Sequence, residues 1–423
     1  MKVPLPWKDE SGLFKHGSMM MVGTFIGALC NAGFHMVVGR TLDGAEYGSL
    51  VAMLGIILVV STPMLALQNT LAHYTSKLIK EEKRDEVMTL FLHWVELFLG
   101  ISVVIGVGGF FFREPLAAFW GGVDPRLIVT TFLVLAISLW MNIFFGLLQG
   151  MQAFSWLAWA PQAWGGSRLL LGGLLTATVS ATALAALGAQ GVGVLVVLGL
   201  CFWGVRTLHL PPRRKRVSPH ETYGYLGSSL FCLAGYAMLM NLDTTLAKHY
   251  FDADSVGLFA KAAIIARTAV FLPVPIAMAL FPKVTSTGSL TDESWRLLLR
   301  ALAFAGLIIV GVVGVCLVIP QLPLRILYGS ATAASAEVIH LTRAMVLALC
   351  PLAFAYLLLN FEMAQQRFRW CYSLVPCAIA YVVGVMVFHD RPIHIAMVLG
   401  VTNTLAALLL LVGVITRRVH KGG

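Results

Sequence analysis

The sequence predicts an all-α polytopic membrane protein with about 12 transmembrane helices in two six-helix lobes. The first reason is composition: 58% of the 423 residues are hydrophobic and 12% are charged, about half the charged fraction of a soluble domain. The second is length, because one membrane helix with its loop takes roughly 35 residues, so the chain accommodates about 12. The third is an internal repeat of about half the chain. The apolar runs are continuous rather than alternating, which excludes a membrane β-barrel.

The first half of the chain contains six predicted spans. Asp43-Gly44-Ala45-Glu46 forms a tight turn after the first span, and the run Gly-Ala-Gln-Gly at 188–191 separates the last two. The basic run Pro-Pro-Arg-Arg-Lys-Arg at 211–216 ends this half. The six predicted spans cover residues 17–39, 47–76, 87–111, 127–149, 157–186 and 190–208.

The second half repeats this plan. Its first two spans form a hairpin that turns near residues 251–254, and Pro273 and Pro275 are expected to bend the second of them. The hairpin ends at Phe281-Pro282-Lys283. The six predicted spans cover residues 222–249, 256–281, 297–319, 335–361, 371–388 and 393–415.

Loop charges set the predicted orientation, because cytoplasmic loops of membrane proteins collect Lys and Arg. One side of the chain collects both termini, residues 77–84, the run 211–216, Lys283, and Arg367 with Arg369. Both termini are therefore predicted to be cytoplasmic, which requires an even number of spans. The same rule accounts for the net charge of +10, so the sequence does not predict a nucleic-acid partner.

The internal repeat relates the two halves. Six spans per half preserve orientation, so the halves should be related by a pseudo-two-fold axis along the membrane normal. The predicted domains are an N-terminal lobe at 1–209, a basic cytoplasmic linker at 210–221 and a C-terminal lobe at 222–423. Residues that recur in order are Asp43, Gly48, Gln152, Phe154 and Trp156, matched by Asp252, Gly257, Gln366, Phe368 and Trp370.

Several motifs carry a resemblance to a known family. They are Asn241-Leu242-Asp243, the turn Asp-Ser-Val-Gly ending at Gly257, Phe281-Pro282, Gly39-Arg40-Thr41-Leu42, and Gly-Leu-Leu-Gln-Gly-Met-Gln at 146–152. With these motifs, nearly the whole chain resembles the polysaccharide transporters, the lipid-linked oligosaccharide (O-antigen) flippases of the MOP exporter superfamily. The chain departs from some members of this family in showing no clear thirteenth or fourteenth span.

The resemblance implies two lobes around a central cavity that opens alternately inward and outward, as in MATE transporters. The implied cargo is a polyprenyl-pyrophosphate-linked oligosaccharide, moved to the outer leaflet of a bacterial cytoplasmic membrane for cell-surface polysaccharide biosynthesis. The implied partners are this cargo, membrane lipids, and a polysaccharide polymerase or glycosyltransferases. The alternative function is a MATE-like multidrug or cation antiporter, whose cationic cargo would favour an acidic cavity.

Three arginines are candidate ligands for the pyrophosphate. Arg168 and Arg267 lie near the middle of spans 5 and 8, and Arg343 lies in the outer third of span 10. The forked, permanently charged guanidinium suits phosphate. The alternative is that each bonds to backbone carbonyls or to an acid from another helix.

Three further charged residues are candidates for gating or proton coupling. Asp243 and Lys261 lie at similar distances from the hairpin turn, so we expect them to meet on antiparallel helices. They would form a structural ion pair or a gate whose pairing changes during transport. Glu96, deep in span 3, is a candidate partner for the arginines. Charge at this depth is costly and by default marks a functional site or a bonded pair.

The sequence indicates neither an enzyme nor a metal site. No loop is long enough for a separate catalytic domain, and no Walker-type phosphate loop is present. The seven cysteines lie in apolar segments without a C-x-x-C pair, as expected of small buried hydrophobic residues. No cofactor is predicted. Four histidines within spans lack metal-ligand spacing and are expected to be buried: His35, His73, His93 and His340.

Overall fold

The computed structural model describes residues 10–210, 220–272 and 292–422, and all regular structure in these residues is helical. The first half contains α1 (Glu10–Thr41), α2 (Gly44–Ser61), α3 (Leu65–Lys80), α4 (Arg84–Phe111), α5 (Arg113–Phe119), α6 (Pro125–Gly150), α7 (Phe154–Thr178) and α8 (Ala183–Thr207). The second contains α9 (His220–Tyr250), α10 (Ala253–Phe271), α11 (Asp292–Val318), α12 (Gln321–Tyr328), α13 (Ser330–Ala334), α14 (Ala336–Ala364), α15 (Leu374–Val387) and α16 (Pro392–Gly422). Short 3₁₀ helices cover Thr62–Met64 and Cys371–Ser373.

The all-α membrane class is confirmed. Helices lie over all twelve predicted spans, although the eighth is described only as far as residue 272. Nine helical segments of the described chain are long and apolar enough to cross a membrane, and residues 371–387 form a shorter apolar helix. The count of twelve therefore stays a prediction. The basic run 211–216, most of the linker, Pro273, Pro275 and Phe281-Pro282-Lys283 lie outside the described residues.

The predicted break at residues 188–191 is wrong. Helix α8 runs through these residues, and the chain turns earlier, between Thr178 and Ala183. The hydroxyl of Thr182 accepts a hydrogen bond from the Ala185 amide at 3.3 Å and caps α8, as threonine commonly does at helix starts. Glycine is tolerated inside membrane helices because it lets neighbouring helices approach closely.

The second predicted span, residues 47–76, consists of two helices. A 3₁₀ turn containing Pro63 separates α2 from α3, and proline bends a helix because it lacks the amide N–H and crowds the preceding turn. Most of α2 is buried, whereas α3 exposes His73 and Lys77 on one face. The prediction that His73 is buried is therefore wrong, and His340 is exposed as well.

Packing divides the chain into two compact units that are not continuous in sequence. The first contains α1, α3, α4, α6, α7, α8 and the start of α9. The second contains α2, most of α5, and the helices from Gly227 onward. Within the second unit, the Thr245 hydroxyl of α9 donates a 2.9 Å hydrogen bond to the Ala52 carbonyl of α2. The sequence-continuous lobes 1–209 and 222–423 stay a prediction.

Two helix ends at matching positions of the repeat have the same backbone conformation. Gln152 after α6 and Gln366 after α14 have φ angles of 58° and 55°. The following amides bond back to the helix, Ala153 to the Leu148 carbonyl at 2.9 Å and Arg367 to the Glu362 carbonyl at 3.0 Å. This is the Schellman helix end. Left-handed glutamine is uncommon, so its occurrence at both repeat positions confirms this part of the internal repeat.

The repeat extends to the tryptophans that follow these helix ends. The Trp156 ring covers Gly204 so closely that a Cβ there would lie 2.9 Å from Cδ2 of the indole. The Trp370 ring covers Gly413 in the same manner. Each glycine lies in the last helix of its half, so the same packing recurs within the first and within the second unit.

Candidate functional site

A buried ion pair lies in the second unit. The Asp243 side chain of α9 is 0% exposed, and its Oδ1 accepts hydrogen bonds from the Thr244 amide at 2.7 Å and from the Arg267 guanidinium of α10. Arg267 also donates from Nε to the Met240 carbonyl at 3.3 Å. An isolated charge is costly to bury, and a hydrogen-bonded opposite charge offsets that cost. Asp243 and Arg267 therefore neutralise each other inside the helices.

The predicted pair between Asp243 and Lys261 is wrong. Side chains on a helix lean toward its N-terminus, so in an antiparallel hairpin Asp243 leans away from the turn and a side chain on α10 leans back toward it. The backbone of the residue that pairs with Asp243 must then lie farther from the turn than the backbone of Asp243 does. Arg267 meets this condition. Residues at equal distances from the turn, such as Asp243 and Lys261, have side chains that lean apart.

Lys261 has other partners in the second unit. Its Nζ lies 3.4 Å from the Thr332 hydroxyl and 5.6 Å from the centre of the Tyr328 ring. The Tyr328 hydroxyl is itself 3.0 Å from the buried Tyr47 hydroxyl. These contacts join α10 to α12, α13 and α2. None of these partners carries a charge opposite to that of lysine.

Tyr381 of α15 adds a residue that the sequence analysis missed. It is 0% exposed and lies within electrostatic range of Asp243 and Arg267. Its hydroxyl and Asp243 Oδ2 have no hydrogen-bond partner among the described residues. A lone tyrosine in an apolar span gives no signal in sequence. The structure thus adds a polar hydroxyl near the ion pair, with unused hydrogen-bonding capacity on both groups.

Arg168 of α7 lies within the first unit. It is 3% exposed, and its guanidinium carbon lies 3.8 Å from the centre of the Phe34 ring and 4.9 Å from that of Trp164. A cation over an aromatic face is attracted by the ring quadrupole, more strongly when water is excluded. Arg168 is thus stabilised by aromatic rings of α1 and α7.

Arg343 and Glu96 lie in less enclosed positions. Arg343 is half-buried on α14, and its Nε donates a 3.1 Å hydrogen bond to the Leu317 carbonyl in the last turn of α11. Helix C-termini leave such carbonyls without intrahelical partners and favour cations. Glu96 is exposed on α4 beside the exposed Leu97. The prediction that the three arginines bind phosphate stays a prediction, and each has contacts with protein groups.

The two repeat-related turns are capped alike. The Asp43 carboxylate accepts from the Glu46 amide at 2.7 Å, and the Asp252 carboxylate accepts from the Ser255 amide at 3.0 Å. The Ser255 bonds lower the pKa of Asp252 below its usual value. The turns also meet within the second unit, since a Cβ on Gly48 would lie 2.8 Å from a Val256 methyl. Only glycine allows this close approach.

No metal site can be assembled from the described residues, which contain no group of three or more His, Cys, Asp or Glu side chains able to hold an ion. None of the seven cysteines forms a disulfide, and five of them are buried.

Comparison with solved structures shows that this fold is similar to that of several transporters of the MOP superfamily. An inward-facing multidrug resistance MATE transporter has a TM-score of 0.74 and 13% identity, covering 92% of this chain and 94% of that one. The lipid II flippase MurJ, in an inward closed conformation, has a TM-score of 0.70 and 12% identity, with 93% and 87% covered. No protein-family model and no curated protein sequence matches the chain.

A third similar structure is a MOP superfamily transporter from Pyrococcus furiosus, described as having a binding pocket of reverse polarity that suggests a different function. Its TM-score is 0.70 at 14% identity, with 95% of this chain and 94% of that chain covered. At these identities the likeness establishes the fold. The chain therefore has the fold of MOP superfamily transporters, as the sequence predicted.

Proposed function

We propose that this protein is a flippase that moves a polyprenyl-pyrophosphate-linked oligosaccharide from the cytoplasmic to the outer leaflet by alternating access. In this proposal it acts in a bacterial cytoplasmic membrane, with both termini cytoplasmic, and supplies cell-surface polysaccharide biosynthesis. A polymerase or glycosyltransferases would act before or after it on the same lipid. The likeness to the lipid II flippase supports this proposal, because that protein has the same fold.

The observation that carries the choice of an anionic cargo is the state of Asp243. A transporter of cations needs a carboxylate available to the cargo, whereas the Asp243 carboxylate is buried and already paired with Arg267. Lys261 and Arg343 make their described polar contacts with a hydroxyl and a carbonyl, neither of which neutralises a positive charge. These contacts leave the positive charges of Lys261 and Arg343 in place, which favours an anionic cargo.

We assign different roles to the candidate residues. Arg343, half-buried and bonded to one carbonyl, can turn toward a phosphate at low cost. To bind the phosphates, Arg168 would have to leave its aromatic rings and Arg267 would have to leave the Asp243 carboxylate. Phosphate binding by these two arginines would therefore be coupled to a change in helix packing. The Asp243–Arg267 pair, with Tyr381 beside it, is our candidate for gating or proton coupling, because it joins α9 to α10 inside the second unit. Lys261 and Glu96 remain further candidates for the same role.

The membrane potential can contribute to the direction of transport. With the cell interior negative, outward movement of an anion gains about 2.3 kcal/mol per charge per 100 mV. A pyrophosphate headgroup would therefore move outward without an obligatory coupling ion.

The test uses purified protein in liposomes that contain a fluorescent polyprenyl-pyrophosphate-linked oligosaccharide. An impermeant quencher reports the fraction of headgroups in the outer leaflet, and an applied potential should change the rate. We expect wild-type protein to equilibrate the leaflets and the Arg343→Ala variant to do so at least about tenfold more slowly, the effect of losing one or two charge-assisted hydrogen bonds. Arg325→Ala is the matched control, since Arg325 is an exposed arginine of the same unit.

The alternative, a MATE-like multidrug antiporter, is supported by the equal likeness of MATE structures to this chain. It predicts proton-driven uptake of a cationic dye such as ethidium by the same liposomes. Dye transport without movement of the oligosaccharide lipid would replace our proposal by this alternative.

A further inference from the structure

Helix α3 carries a row of four polar side chains along one face. His73, Ser76, Lys77 and Lys80 follow the i, i+3, i+4, i+7 spacing that places residues on a single helix face, and we call these four residues the α3 polar face. Three of them are exposed, whereas the opposite face of the helix is buried. This amphipathic helix follows α2, which is apolar and mostly buried, after the 3₁₀ turn that contains Pro63.

Close packing fixes the direction in which this face points. A Cβ on Gly146 of α6 would lie 2.7 Å from Leu71 Cβ, and one on Gly150 would lie 2.8 Å from the Ala72 carbonyl oxygen. The Ser76 hydroxyl donates to the Gly150 carbonyl at 3.1 Å. Small residues at such contacts let helix backbones approach closely. Helix α3 therefore cannot rotate without losing these contacts. The backbone positions of its lysines are fixed by this packing.

The α3 polar face lines a cavity of about 320 Å³ together with Glu81. The Glu81 carboxylate is bonded to Lys83, with Oε2 and Nζ 2.7 Å apart. A volume of this size matches the lower end of small-molecule sites. The positive-inside rule accounts for lysines at the end of a span. It does not account for a histidine two turns further in, aligned with them along one cavity.

We propose that the α3 polar face binds the phosphate headgroup of an anionic lipid. Lysine is a compact charge with three donors and binds phosphate as a point charge, and histidine adds a ring N–H. The helix C-terminus nearby favours the lysines in their present positions. That the headgroup is the diphosphate of the transported lipid, received before it reaches the deeper arginines, rests on the proposed function.

The experiment measures binding to the full-length protein in detergent micelles by calorimetry. The probes are farnesyl diphosphate, farnesol as the uncharged counterpart, and phosphatidylglycerol in mixed micelles. The Lys77→Ala/Lys80→Ala double variant should bind farnesyl diphosphate at least about tenfold more weakly than the wild type does. Farnesol should bind neither the wild type nor the double variant. Arg84→Ala is the matched control, because Arg84 is an exposed cation four residues past Lys80 that does not line the cavity. Its affinity should stay within about twofold of wild type.

The outcomes separate this site from the proposed function. Tighter binding of farnesyl diphosphate than of phosphatidylglycerol assigns the site to a diphosphate lipid, and equal binding assigns it to bulk anionic lipid; both support a phosphate site. Equal losses in the double variant and in Arg84→Ala, or no loss in the double variant, would overturn it. If the liposomes show no oligosaccharide movement but the calorimetric loss persists, only the proposed function fails.

Discussion

Arg168 in the first unit and Arg267 in the second are both buried, at 3% and 5% exposure, yet the protein stabilises them differently. Arg267 is paired with the Asp243 carboxylate, whereas Arg168 lies against the rings of Phe34 and Trp164. In the sequence both are single arginines near the middle of an apolar span. The comparison shows that an arginine at membrane depth does not by itself mark a phosphate site, because helices distant in sequence can supply its partners.

The two environments also differ in how they respond to change. In the ion pair, the Asp243 carboxylate supplies the opposite charge, so its loss leaves the buried charge of Arg267 uncompensated. A cation between two rings keeps part of its stabilisation when one ring is replaced, since each contact contributes separately. We therefore expect the second unit to be more sensitive to a single substitution at its arginine site than the first.

The largest expected effect is at the ion pair. Asp243→Asn should lower the free energy of unfolding by about 3–5 kcal/mol, because Arg267 then remains buried without its carboxylate. Denaturant unfolding in detergent micelles measures this change. Asp252→Asn is the control, since it replaces an exposed acid and asparagine keeps the helix cap, so that only the small charge-dependent part of the cap is lost.

The double variant Asp243→Asn/Arg267→Met sharpens this prediction. Replacing both charges removes the uncompensated ion, so the double variant should be more stable than Asp243→Asn alone. If Asp243→Asn unfolds at the wild-type denaturant concentration, the ion pair does not stabilise the second unit and the contrast with Arg168 is lost.

A smaller effect is expected in the first unit. Phe34→Leu removes one ring from Arg168 and should cost about 2 kcal/mol from the lost cation–π contact, in addition to the packing change. Phe361→Leu is the matched control, because Phe361 is a buried phenylalanine at 1% exposure and no cation lies over its ring among the described contacts. Thermal unfolding of both variants gives the difference. Equal costs at the two positions would mean that the ring of Phe34 acts only by packing.

The smallest expected effect on stability is at Asp252, a solvent-exposed residue that caps α10. Asp252→Ala should cost about 1 kcal/mol through loss of the cap. Because the pKa of Asp252 is lowered in the folded protein, its ionised form stabilises the fold above the ordinary aspartate pKa, and this contribution is lost as pH falls through the lowered value. The stability difference between wild type and Asp252→Ala should therefore be present at pH 6 and shrink near pH 3. A difference that is the same at both values would contradict the charge-dependent part of the cap.

The sequence by itself determined the features that depend on nearby residues. Continuous apolar runs specify membrane helices, and the caps at Asp43 and Asp252 follow from turn residues next to those runs. The repeat also emerged from sequence, and the left-handed Gln152 and Gln366 confirm it at one pair of helix ends. Where a local signal was ambiguous, as with the glycines at 188 and 191, the prediction failed, because glycine inside a membrane helix and glycine in a turn look alike.

Only the tertiary structure decided which charges meet. Asp243 pairs with Arg267 because side chains lean along their helices, which a count of residues from the turn does not include. Phe34 became the partner of Arg168 through packing of α1 on α7, helices separated by most of the first half. The prediction from sequence was that His73 of α3 is buried, and the exposure of the α3 polar face became evident only from the contacts at Gly146 and Gly150. Sequence fixes which groups a helix carries, and the packing of neighbouring helices determines its rotation and so what those groups touch.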